Sequence, residues 1–219
     1  KVDTRLQRID SVHIKSNMAR LGRIGIFVRA IDRFLVNLKR QHRDLWKQLD
    51  GDLVKRYQSQ QARGCFASVK PSESKRTLRE VASDLYRLVV RFNGHRQVAG
   101  MNSYKLLCRI VKEQCEVQPD GTIELKASKQ IPSESLQNPS DPDATYSGHK
   151  GQGYQVQVME TYCEHEGTQK DPAQLNLITH VDVERACESD AQALLPAIEA
   201  TLEKDLAPEQ LQADALYGS

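Results

Sequence analysis

Two aspartates sit where a short segment could hold a carboxylate at a fixed point. Asp10 lies inside "RIDSVHIK", an alternating run with Arg8, Asp10, Val12 and Ile14 on one side and Ile9, Ser11, His13 and Lys15 on the other. Asp214 lies in "QADALYGS", after Leu211 and before a Tyr-Gly turn. Carboxylates are hard oxygen donors, and two of them on adjacent strands can share divalent ions about 4 Å apart, an arrangement suited to phosphoryl transfer. Other candidates are weaker. The Ser-Asp-Pro-Asp-Ala run at 140–144 reads as an Asx/proline turn entering a strand. "GHKGQGYQV" presents His149, Lys150 and Tyr154 to a phosphate or a base, without the spacing of a nucleotide-binding P-loop. Cys163, His165, His180 and Cys187 match no structural-zinc spacing and read as ordinary thiols and imidazoles.

The alternation of residues 8–15 predicts a strand carrying Asp10. After Ser16 and Asn17, either of which can cap a helix, the spacing changes to Met18, Leu21, Ile24, Phe27, Val28, Ile31, Phe34, Leu35 and Leu38, a long amphipathic helix with an Arg-rich polar side. Gly22 and Gly25 loosen its first turns. Helical patterns follow at Leu45 to Tyr57, Ser74 to Phe92 and Gln97 to Gln114, then a hairpin turning at Pro119-Asp120-Gly121. Residues 126–153 have the composition of a loop. Strand alternation returns at Tyr154 to Met159 and at Leu175 to Glu184. A helix capped by Ser189 or Asp190 comes next, with Pro196 delaying or bending it, and a last short strand spans Leu211 to Asp214.

This order predicts a catalytic unit formed by residues 1–16 and 154–219, interrupted by a helical insertion at 17–115 and a hairpin and loop linker at 116–153. The helix before the last strand acts as a crossover, which favours placing that strand parallel to and beside the first, bringing Asp10 and Asp214 together.

The net charge of +2 conceals a division: residues 1–115 carry +15 and residues 116–219 carry −13. A basic half of this strength favours a polyanionic partner, although it also suits solvated helix faces that balance the acidic half. No apolar run approaches the ~20 residues that span a bilayer, so no membrane partner is expected. Five cysteines, scattered and without a C-x-x-C, fit a reducing, cytoplasmic compartment. The chain opens on Lys1 in "KVDTRLQRID", which reads as the interior of a domain, so an excerpt of a longer protein is expected.

Taken in order, "RIDSVHIKSNMARLGRIG", "NPSDPDATYSGHKGQGYQVQV", "LITHVDVERACESDAQALLPAIE" and "LQADALYGS" resemble segments of DDE-type transposases from bacterial insertion sequences. The resemblance covers most of the chain, weakly in the helical insertion and well in residues 138–219. In that family the first catalytic Asp stands in a "D-[GS]-[TS]"-like context followed by a small-polar "A/S-N" pair. Asp10, Ser11 and Ser16-Asn17 match it, while Val12 replaces a frequent Thr. The second stands in "A-D-x-x-Y", matched by Ala213, Asp214 and Tyr217.

The resemblance implies an α/β fold with a ribonuclease H-like mixed-sheet core, interrupted by a large all-helical insertion and incomplete at its C-terminus. It further implies that Asp10 and Asp214 are catalytic and hold two Mg²⁺ (or Mn²⁺) ions for nicking of transposon ends and strand transfer. The implied partners are terminal-repeat and target DNA, contacted by Lys15, Arg20, Arg23, His149, Lys150 and Tyr154, and the implied assembly is a homodimer associated with the bacterial nucleoid. Similar proteins need a third carboxylate, a Glu on a later helix, which these residues do not contain. A fragment inactive by itself is therefore expected. The alternatives are a non-catalytic DNA-binding or interaction remnant of a transposase, and a nuclease of another kind on the same core.

Overall fold

The computed structural model describes residues 2–18, 21–58, 66, 69–162 and 176–218. The chain is α/β with a mixed sheet, and it divides into a sheet unit, residues 1–16 and 145–219, and a helical unit, residues 17–144. Among the described residues, no helix is long and apolar enough to cross a membrane.

The sheet unit is built on β1 (Leu6–Lys15), β4 (Thr145–Ser147), β5 (Gly151–Thr161), β6 (Ile178–Arg185) and β7 (Gln210–Gln212). β5 is central. It pairs antiparallel with β1 from Gln7↔Thr161 to Lys15↔Gly153, and antiparallel with β6 and β4 on its other edge. β7 lies parallel to β1, with Leu6↔Gln210 and Arg8↔Gln212 as the outer pairs. The expected strand at Leu175 to Glu184 begins at Ile178; Leu175 lies outside the described residues.

Alternation along β1 and β5 separates two faces. On the inner face Gln7, Ile9, Gln155, Gln157 and Met159 are buried, and the helix Leu194–Leu202 packs there through Ala197, with Ala193 and Tyr217 completing the cluster. The outer face carries Arg8, Asp10, Val12 and Ile14 of β1 and Val181 and Val183 of β6, all exposed. The Arg8 guanidinium meets Glu160 at 2.5 Å across that face.

Pro196 is the third residue of the helix Leu194–Leu202, where an amide has no intrahelical acceptor. The helix therefore starts late and needs no bend. A 3₁₀ turn, Asp190–Gln192, precedes it without a side-chain cap, so neither Ser189 nor Asp190 caps the helix as expected.

The helical unit comprises α1 (Arg23–Gln41), α2 (Arg43–Lys47), α3 (Gly51–Gln58), α4 (Ser74–Arg91), α5 (Arg96–Ala99), α6 (Asn102–Gln114) and a hairpin of β2 (Cys115–Val117) and β3 (Ile123–Leu125). In chain order, the helix Leu194–Leu202 of the sheet unit is α7. α1 starts at Arg23 after an extended Gly22 with no side-chain cap, five residues later than the period suggests, and Ser16 and Asn17 precede it as connection. Of the next three expected helices, α4 is continuous and the other two are split, by Gln48 to Asp50 and by Gly100 and Met101, because an apolar period can continue across a break in the backbone.

The apolar stripes of α1, α4 and α6 converge on one core in which Phe27, Ile31, Phe34, Leu35, Leu38, Leu85, Leu107 and Ile110 are fully buried. The hairpin and the segment after it, expected as a linker through residue 153, belong to this unit as far as Ala144. Leu136 is buried in the helical core, and Arg109 holds the segment by donating to the carbonyls of Pro142 (2.7 Å) and Glu134 (2.9 Å). Residues 145–153 instead form β4 and the start of β5.

One polar group is built into the helical core. Asp84 of α4 is buried and accepts from the hydroxyl of Tyr57 at 2.7 Å and from Arg56 at 3.0 Å. Asp84→Ala leaves the buried Tyr57 hydroxyl without its acceptor and is expected to lower stability by about 2 kcal/mol in urea unfolding. Lys47→Ala, which removes only an exposed pair with Asp44, is the neutral comparison.

Candidate functional site

The β1–β7 ladder sets the position of the two aspartates. Its last pair is Arg8↔Gln212; Asp10 follows two residues later on β1, on the face that carries Arg8, and Asp214 follows Gln212 by two residues, beyond the ladder. Asp214 was expected within the last strand; it lies two residues beyond β7, in the turn that leads into the 3₁₀ segment Ala215–Gly218. That turn is closed by the aspartate itself, whose Oδ1 accepts from the Leu216 amide at 2.8 Å. Asp10 uses Oδ1 in the same way, accepting from the Ser11 amide at 2.8 Å. Both residues are exposed, and Oδ2 of each carries no hydrogen bond among the described residues.

Beneath this pair, on the inner face, lies a polar network centred on Asp190. Its Oδ1 accepts from Gln157 Nε2 at 3.1 Å and from Gln155 Nε2. Gln157 also donates to Glu184 at 2.9 Å and accepts from the Tyr217 hydroxyl at 2.5 Å. Lys150 Nζ reaches Ser11 Oγ (3.2 Å) and Gln155 Oε1 (3.1 Å). Tyr217 thus couples the turn of Asp214 to the strand beside Asp10.

Burial pushes the Tyr217 phenol above its ordinary range and the negative charge of Asp190 adds to this; Ser11 opposes it, and Asp10 and Asp214 contribute smaller upward effects. The native chain therefore holds the Tyr217 proton more tightly than the unfolded chain, whose tyrosines ionise near pH ~10. The stability due to this hydroxyl is complete below that pH and is lost as pH climbs through the raised native value. Tyr217→Phe is expected to lower stability at pH 7 by about 1–2 kcal/mol, because Gln157 Oε1 is left unpaired, and to remove this part of the alkaline loss. Urea unfolding at pH 7 and above pH 10 checks both effects.

The other sequence candidates are dispersed. Lys15 is exposed at the end of β1, opposite Gly153. His149 is exposed in the β4–β5 turn, and Tyr154 is half-buried on the outer face of β5. Arg23 belongs to the helical unit, where its Nε donates to Gln114 Oε1 (2.8 Å) and its Nη2 to the Gln114 carbonyl (3.0 Å). Arg20 lies outside the described residues, as do Cys65, Cys163 and His165. Lys150 reaches Ser11, the neighbour of Asp10, whereas Lys15 stands at the far end of the same strand.

Gln155, Gln157, Glu184 and Asp190 were not selected from the sequence as parts of a site. Their signal was available in outline, since Gln155 and Gln157 alternate with valines in a strand and polar residues directed inward need partners.

The donor set suits a hard divalent cation, because each aspartate offers a free carboxylate oxygen from a position fixed by a backbone hydrogen bond. Among the described residues, no group of three or more His, Cys, Asp and Glu side chains converges on a metal-sized site. No protein-family model, curated protein or solved structure matches the chain.

Proposed function

We propose that the chain is part of a DDE-type transposase, with a ribonuclease H-like core in which Asp10 and Asp214 are two of the carboxylates that hold Mg²⁺ or Mn²⁺ for DNA cleavage and strand transfer. The observation that carries this reading is the parallel β1–β7 ladder, which brings the chain leading into Asp214 beside the strand that bears Asp10, with both aspartates exposed and both acting on the Tyr217 phenol. The last strand lies parallel to and beside the first, as the crossover helix favours, and this supports the reading.

In this reading Asp10 and Asp214 bind and orient, each through Oδ2. The hydrogen bond from Tyr217 to Gln157 holds the Asp214 turn against β5, and Lys150 supplies positive charge beside Ser11 of β1. Bound divalent ions would supply a lowered pKa for an attacking water or 3′-hydroxyl and stabilisation of the leaving oxygen. A third carboxylate completes the set in similar proteins, so the present residues account for part of the centre.

The experiment is a Mn²⁺ titration of the 219-residue chain followed by water-proton relaxation and by thermal midpoint. Saturable binding that depends on both aspartates supports the reading. A second reading, a DNA-binding remnant without catalysis, is favoured by the +15 charge of residues 1–115 and predicts DNA binding with no specific Mn²⁺ site.

A further inference from the structure

Within the helical unit, α4 and the β2–β3 hairpin border a groove of about 1160 Å³. Six cations line it, Arg23, Lys75, Arg79, Arg87, Arg91 and Lys126, against the single carboxylate of Glu124. Two of the six are committed internally: Arg23 to Gln114, and Lys126, whose Nζ donates to the Lys112 carbonyl at 2.8 Å. The other four follow the i, i+4 ridge of α4, on which only Ser83 is uncharged. From Lys75 to Arg91 this ridge rises about 24 Å along the helix axis.

All four are exposed. Lys75 and Arg79 make no hydrogen bond or ion pair among the described residues. Arg87 comes no closer than 3.9 Å to Asp84, and Arg91 donates to the Gln48 carbonyl at 2.8 Å, which leaves its charge uncompensated. A row of four exposed cations with this little internal compensation creates a local positive potential that attracts a polyanion.

We propose that this groove seats the phosphate backbone of duplex DNA without reading base sequence. The choice of DNA rests on the DNA-processing reading above; the site itself rests on the groove's charge and shape. Duplex is favoured over single strands because single-strand sites present aromatic platforms to unstacked bases, whereas Tyr86, the one aromatic lining this groove, is half-buried. Backbone contact is proposed because the groove offers mainly the charge of exposed Lys and Arg side chains, which attracts phosphates whatever the base sequence.

The test uses the 219-residue chain and a fluorescent 20-base-pair duplex of arbitrary sequence, read by anisotropy between 50 and 200 mM KCl. Four phosphate contacts predict an affinity that falls about 150-fold across that range. In K75Q/R79Q, which touches only exposed and unpartnered side chains, the fall shrinks to about 12-fold with the thermal midpoint unchanged. D182N, at an exposed β6 residue outside the groove, retains the wild-type duplex affinity and salt response. A flat salt response, a wild-type response in K75Q/R79Q, or tighter binding of a single-stranded 20-mer would overturn the proposal. Loss of the Mn²⁺ site with the duplex response intact refutes the carboxylate reading and leaves the groove standing.

Discussion

Asp10→Asn and Asp214→Asn each weaken Mn²⁺ binding by roughly thirtyfold, the effect of removing one unit charge about 4 Å from a divalent ion in well-solvated surroundings. The result is expected for either substitution because the β1–β7 ladder brings the chain leading into the Asp214 turn beside the strand of Asp10, and each side chain has one carboxylate oxygen free of hydrogen bonds among the described residues. Asparagine keeps Oδ1, so the hydrogen bonds from the Ser11 and Leu216 amides survive and the metal-free variants keep the wild-type thermal midpoint. Asp182→Asn is the matched control. Asp182 is exposed on β6 and accepts from the Val183 amide at 2.8 Å, the same local arrangement as Asp10, but it lies two strands away from β1. Relaxation titrations that respond to Asp10 and Asp214 but not to Asp182 would locate the ion; equal responses at all three would mean non-specific association with acidic surface.

Gly153→Ala should be the most damaging single-methyl change in the sheet unit. A Cβ at this position would stand 2.1 Å from the Ile14 carbonyl oxygen and 3.0 Å from the Lys15 Cα, and both are backbone atoms of the paired strand. Gly153 also pairs with Thr145 of β4, so the main chain is held on both edges and has nowhere to retreat. Relief requires opening the end of the β1–β5 ladder. The expected loss is on the order of 4 kcal/mol in urea unfolding, with faster hydrogen exchange at the amides of β1. Gly148→Ala in the neighbouring turn meets no atom within 4 Å and should change stability by less than about 0.5 kcal/mol. A Gly153→Ala chain as stable as the wild type would show that the two strands do not approach this closely.

Much of the secondary structure is legible in residue spacing, and its failures have local causes. The strand containing Asp10, the amphipathic α1, α4 and α6, and the hairpin turn at Pro119-Asp120-Gly121 all follow from period and turn chemistry. The breaks at residues 48–50 and at Gly100 do not, because the apolar period runs on while the backbone does not. The start of α1 is misplaced for a similar reason: Leu21 fits the stripe, but the glycine after it adopts an extended conformation and the helix begins beyond.

The candidate site is legible in part. Both aspartates are recognisable from their contexts, and a parallel last strand follows from the crossover helix. The supporting network is not, since a glutamine in a strand looks the same whether it faces water or a buried carboxylate. Asp190 reads as a cap from its neighbours in sequence, yet its carboxylate is turned to Gln155 and Gln157, whose positions depend on how β5 is laid beside β1.

By itself the sequence determines the chemistry available and the local geometry that carries it: two aspartates in contexts suited to fixed carboxylates, an alternating first strand, and a basic row on α4. Tertiary structure decides which face of that strand is buried and which residues meet. β1 has apolar side chains on both faces, Ile9 on one and Val12 and Ile14 on the other, and it is the packing of α7 against Ile9 and Met159 that leaves Asp10 outside. The three-residue β7 is too short for its own pattern to specify a partner, so its register against β1 comes from the chain around it. A shift of one residue would change where the turn bearing Asp214 leaves the edge of β1. Alternation is a local property of the backbone, whereas register is settled by non-local packing on the buried face.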